Sequence, residues 1–278
     1  MKVAIEDYYE DIIGKAQSGL GISDSELESR SGVSIEAINA AKFGTFDEAA
    51  ARALAPVLDL DADNLVEAGE KAWFPEPVEF DGLAGFNTPF PVPGYEEMTV
   101  NAFLVWDPDT LVAAVFDTGA NVSEMLATIE SKRLSVAIVL LTHTHGDHIA
   151  DLARLVAATG NPPVYVNRKE PIAAARSIDE GETFKAGGLT MEARLTHGHS
   201  PGGTTYVVTG LGRTIAIAGD SLFANSMGGS PAGYKQAIEN NRTKILSLPE
   251  DTIICPGHGP MTTVGEERAH NPFHPEFG

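Results

Sequence analysis

Apolar positions follow two different rhythms along this chain. Up to about residue 70 they recur at helical spacing, in 3 to 20 and again in 48 to 69, with no strand pattern between. Beyond FPEPVEFDG, residues 74 to 82, short β-branched runs take over. VNAFLVWDPDTLVAAVFDTG, residues 100 to 119, predicts two strands joined at the DPDT turn, and Val136 to Leu141 predicts a third. Leu189, Met191, Ala193 and Leu195 alternate as in a half-buried strand, and RTIAIAGD (213 to 220) and DTIICPGHGP (251 to 260) predict two more. Helical spacing returns at Val122, Met125, Leu126 and Ile129, and at Ile149, Leu152, Leu155 and Val156. The expected division is a helical unit over residues 1–74 and an α/β unit over 75–278, long enough for a full core.

The predicted strands share a peculiarity: several end on metal-ligand chemistry. THTHGDH, residues 142 to 148, packs three histidines and an aspartate into seven positions. In an extended segment alternate side chains share a face, so His143 and His145 can point at one ion while Asp147 and His148, entering the next helix, turn toward a second. THGHSPGG, residues 196 to 203, presents His199 after a strand, and Asp220 closes another with a carboxylate able to bridge two cations. His258 sits in a glycine-flanked loop, where backbone can approach closely.

In their order, HxHxDH, GH[ST]P, GD and GHGP, these motifs resemble the metallo-β-lactamase fold hydrolases, in the branch near the hydroxyacylglutathione hydrolases (glyoxalase II), over roughly residues 75 to 278. The resemblance implies a four-layer αββα sandwich. It puts His143, His145 and His199 on one metal, Asp147, His148 and His258 on a second, and Asp220 between them. Asp147 would also orient the attacking hydroxide. Two divalent ions about 3.5 to 4 Å apart can hold a hydroxide and polarise a carbonyl or phosphoryl oxygen. Zinc is the first choice on ligand type, and iron and manganese suit the same nitrogen and oxygen donors.

The implied activity is hydrolysis of a small ester, thioester or lactone. SLFANSMGGSPAGYKQ, after Asp220, departs from the GCGR-like pattern of the glutathione-thioester relatives, and the chain ends soon after NPFHPEFG, without their C-terminal helical domain. Both departures weigh against that thioester. Tyr234, Lys235 and Arg242 are the cationic and polar candidates there, read as decorating a surface helix. Two other readings stand beside this one: a mononuclear iron enzyme of the persulfide dioxygenase type, and a metal- or ligand-responsive regulator acting through the N-terminal unit.

That unit, in DSELESRSGVSIEAINAAKFG (24 to 44) and FDEAAARALAPVLDLDADNLVEAG (46 to 69), resembles helix-turn-helix domains of the lambda-repressor type, with Gly32 at the turn. Charge argues against DNA as a partner. Residues 1 to 70 carry five Lys or Arg against fifteen Asp or Glu, half of the chain's net −20, whereas phosphate contacts need the opposite sign. Packing, homo-oligomer formation or covering of the active site is the expected role.

The remaining candidates have blander readings. His197 is expected at the pocket rim, His270 and His274 in solvent or packing roles, and Cys255, the one cysteine, as a buried structural thiol. A lone cysteine fits a reducing cytoplasm, and no run approaches the roughly 18 apolar residues of a membrane span.

Overall fold

A computed structural model describes residues 3–230 and 233–277. Five short helices come first: α1 (Tyr9–Leu20), α2 (Asp24–Ser31), α3 (Ile35–Lys42), α4 (Glu48–Leu54) and α5 (Ala62–Glu70). Their boundaries follow local chemistry. Ser23, Ser34, Asp47 and Asp61 each accept a hydrogen bond from a first-turn amide, capping α2 to α5, and Gly32 ends α2 with φ of 74°. The turn expected at Gly32 is therefore present.

Two six-stranded sheets follow. The first contains β1 (Leu83–Pro89), β2 (Thr99–Trp106), β3 (Val112–Phe116), β4 (Ser135–Leu140), β5 (Val164–Asn167) and β6 (Arg176–Ile178), in that order. The second runs β12-β11-β10-β9-β8-β7, from β7 (Thr183–Ala186), β8 (Leu189–Leu195), β9 (Thr204–Thr209), β10 (Ile215–Gly219), β11 (Ile253–Pro256) and β12 (Thr262–Thr263). Helices α6 (Ser123–Lys132), α7 (Gly146–Ile149), α8 (Leu152–Ala158), α9 (Tyr234–Asn240) and α10 (Val264–His270) lie between or after the strands, with a π-helical turn over Asn241–Ile245.

Alternation along the strands builds the layers. In β2, Phe103 and Val105 face the second sheet, where they meet Leu189, Met191 and Ala193 of β8, while Leu104 and Trp106 face Met125 and Ile129 of α6. Both faces of β2 are thus buried, as its unbroken apolar run demands. Beyond the second sheet, Ala216 and Ile254 pack under Ile245, Leu246 and Val264, which completes four layers. Phe116 is fully buried between the sheets, so truncating it would cost about 3–5 kcal/mol.

Strand direction positions the site. β3 pairs with β4, and β10 with β11, in parallel, while β8 and β10 are both antiparallel to β9. The C-terminal ends of the strands in each set therefore point the same way, and the loops leaving them meet at one edge.

The five helices share their core with α9 and the loops of the α/β unit. Tyr9, Ile12, Ile13 and Ala16 pack with Met227, Tyr234, Ala237 and Phe273. Tyr234 is consequently buried against Gly19, a correction to its expected surface position, whereas Arg242 does lie at the surface, paired with Glu239 and Glu276. The helix expected across Ile149 to Val156 is split at Ala150–Asp151, because Thr118 Oγ1 accepts the Asp151 amide and draws the backbone aside. No helix among the described residues is long and apolar enough to cross a membrane.

Candidate metal centre

All seven candidate side chains converge at the shared strand ends. His143, His145, His199 and Asp220 form one group of donor atoms, and Asp147, His148 and His258 a second. Asp220 faces both: its Oδ2 lies 3.3 Å from His199 Nε2, 3.8 Å from His143 Nε2 and 3.4 Å from His258 Nε2, and its Oδ1 lies 3.3 Å from His148 Nε2. Asp147 Oδ2 stands 3.3 Å from His258 Nε2 and 3.7 Å from His148 Nε2.

Three of the imidazoles are oriented through their other nitrogen. His148 Nδ1 donates to Asp117 at 2.9 Å, His199 Nδ1 to the Gly229 carbonyl at 3.0 Å, and His258 Nδ1 to the Thr99 carbonyl at 2.6 Å. Such bonds fix the ring orientation and turn Nε2 toward the centre. His145 instead presents Nδ1, 3.1 Å from His143 Nε2 and 3.0 Å from His199 Nε2.

These distances fit a cation. Nitrogens with bond lengths of about 2.0–2.1 Å to a tetrahedral zinc would stand about 3.3 Å apart, close to the spacings observed. Without a cation, these short contacts depend on which ring nitrogens carry protons. In the second group, His148 Nε2 and Asp220 Oδ1 are buried with no hydrogen-bond partner, a cost that a shared cation removes.

Electrostatics points the same way. Burial, and after it the neighbouring His148, holds His143 well below its ordinary pKa, and burial lowers His199 too, so both stay neutral as ligands must. Burial would likewise depress His148 and His258, but the carboxylates outweigh it: Asp220 with Asp117 raises His148 to about 10, and Asp220 with Asp147 raises His258 to about 11. Asp220 stays ionised despite burial because His258 and His148 flank it. Those two imidazole protons are the ones a second cation would displace.

Asp117 escaped the sequence reading. At the end of β3, with φ of 57°, it accepts from Thr142 N at 2.8 Å and Thr142 Oγ1 at 2.7 Å as well as from His148. Its one sequence signal was that DTG, like the ligand motifs, follows a buried strand.

The other histidines stay outside both donor groups. His197 accepts from Asn240 through its carbonyl, His270 stacks on Trp73 and bonds Glu67, and His274 is buried beside Phe277. Cys255 is fully buried between the sheets, and burial pushes its thiol pKa up.

Residues 95–258 match the family model described as Metallo-beta-lactamase superfamily. The hydroxyacylglutathione hydrolase GloC of Haemophilus influenzae is 33% identical over 207 residues, covering 66% of this chain and 95% of that protein. The probable metallo-hydrolase YqgX of Bacillus subtilis is 32% identical, over 62% and 90%. Among solved structures, the BLEG-1 B3 metallo-beta-lactamase superposes with a TM-score of 0.58 at 28% identity, covering 69% of this chain and 99% of that one. A protein solved in a di-iron-bound form gives 0.51 at 26% identity, over 72% and 100%. The family match leaves the five N-terminal helices outside it. The chain belongs to the metallo-beta-lactamase superfamily, and it is a metal-dependent hydrolase of that family.

Proposed function

We propose that the protein is a binuclear metallo-hydrolase of a small ester, thioester or lactone. The observation that carries this reading is the position of Asp220, whose two oxygens face two histidines of each donor group, His143 and His199 on one side and His148 and His258 on the other, within 3.3 to 3.8 Å. His143, His145 and His199 would hold one ion, Asp147, His148 and His258 the other, and Asp220 both. Such ions supply Lewis acidity toward a carbonyl oxygen and make hydroxide available near neutral pH.

The protein's own part is positioning and proton handling. Asp147 is held ionised: burial opposes this, but His258 and His148 beside it prevail. Its carboxylate can therefore orient the attacking water and accept its proton. Completeness of the second group, Asp147, His148 and His258, favours two ions over the mononuclear iron alternative. Zinc remains the first choice from the donor set, with iron or manganese compatible.

The helical unit over 1–74 is read as architectural, its apolar faces consumed by the hydrolase loops. The test of the activity is a panel of thioesters, esters, lactones and phosphoesters, assayed before and after chelation. Metal-restored turnover on the carboxylic derivatives is expected. Turnover confined to phosphoesters, or unaffected by chelation, contradicts the reading.

A further inference from the structure

The loop that follows Asp220 returns to the metal centre at its far end, and between those ends it is gripped from outside the family's own region. Met227 and Ser226 form the grip point. Lys15 of α1 donates from Nζ to the Met227 carbonyl at 2.9 Å, and Ser226 Oγ donates to Asp7 at 2.6 Å. Lys15 and Asp7 are themselves paired, with side chains only 21% and 7% exposed, so the link is largely withdrawn from water. The Lys15 ammonium also stands 5.1 Å from the Phe223 ring centroid, and Phe223 meets His258 edge-on at 5.6 Å. Two residues beyond Met227, the Gly229 carbonyl accepts from His199 Nδ1.

From these contacts we infer that Lys15 and Asp7 are positioning residues for the metal centre, acting through loop 221–230 on His199 and, through Phe223, on His258. The inference rests on the proposed ligand set. Its physical basis is that a ligand's orienting partner is only as well placed as the backbone that carries it. Gly228 leaves little room for adjustment: a Cβ there would meet the Asp220 carbonyl oxygen at 2.0 Å and His199 Nδ1 at 3.0 Å. A shift of the loop is therefore passed to both ligands. Its other side is held independently, by Asn271 Nδ2 on the Ser226 carbonyl and by Glu267 on the Asn225 amide. Loss of the Lys15 grip should accordingly loosen the loop without releasing it.

The test uses the full chain stripped of metal and titrated with cobalt(II), whose visible spectrum reports ligand geometry, next to competitive zinc titration. The variants are Lys15→Met, the charge-balanced Lys15→Met/Asp7→Asn, and Lys15→Arg. The double variant keeps a carboxamide for Ser226 and strands no charge, so it separates positioning from simple ion-pair loss. Weaker affinity by about 10-fold or more, an altered cobalt spectrum, and a fall in kcat with little change in KM are expected for the double variant, with recovery in Lys15→Arg. A cobalt spectrum and zinc affinity that superimpose on the parent's, well below the melting temperature, overturn the inference even if stability has fallen. Should the double variant not fold, Lys15→Gln replaces it under the same criterion. A parent protein that itself binds no more than one ion would refute the ligand set instead, which keeps the two failures distinct.

Discussion

Asp117 accepts a hydrogen bond from His148 Nδ1 at 2.9 Å while also binding the amide and hydroxyl of Thr142, the residue that precedes the first metal-facing histidine. One buried carboxylate thereby sets both the tautomer of His148 and the path of the HTHGDH loop. An Asp117→Asn amide would turn a donor toward Nδ1 and favour the tautomer in which Nε2 carries the proton. Affinity of the second site should fall about 10- to 100-fold, measured by metal titration of the stripped protein. An unchanged second-site affinity removes Asp117 from the centre's construction.

Asp147→Asn is expected to lower kcat by about 10²-fold or more with a much smaller effect on KM, because it removes the proton acceptor and leaves the organic pocket in place. Metal content must accompany the kinetics, since a lost ion would produce the same rate defect. Unchanged kcat at full metal occupancy contradicts the assigned role.

Gly257 lies where the GHGP loop passes the bridging carboxylate. A Cβ there would stand 2.0 Å from Asp220 Oδ1 and 2.7 Å from His148 Cε1, so Gly257→Ala must displace a ligand. A cost of about 1–3 kcal/mol is expected from the overlap, and with it loss of bound metal. Chemical denaturation and elemental analysis read the two separately; a variant retaining its full metal complement contradicts the packing argument.

Strand ends were legible because ligands there are spaced by the chain itself. Val136 to Leu141 announced β4, the alternation of Leu189 to Leu195 announced β8, and the residues following each carried their own chemistry. What orients those ligands was not legible. Asp117 reaches His148 across 31 positions and Lys15 reaches Met227 across 212, distances over which no local periodicity carries information. Tyr234 was misplaced for a related reason: its burial depends on Gly19 and Phe273, residues far away in sequence that close over it only in the fold.

Glu267 offers a stability signal away from the metal centre. Burial raises its pKa to about 8 from 4.5, although Asn271, Thr262 and the Asn225 amide all donate to it. Because the folded pKa lies above the unfolded one, its contribution is fully present below about pH 4.5 and is lost as pH climbs through about 8. Glu267→Gln, neutral throughout, should flatten that decline. The melting temperature of the variant relative to the parent should rise by about 5 °C between pH 5 and pH 8.5. A pH-independent difference contradicts the buried, proton-binding carboxyl.

The count of bound ions tests the central claim most directly. Elemental analysis of protein purified without added metal should find about two equivalents in the parent and about one in His258→Ala, since that substitution breaks the second donor group and spares His143, His145 and His199. About one equivalent in both proteins would contradict the binuclear account.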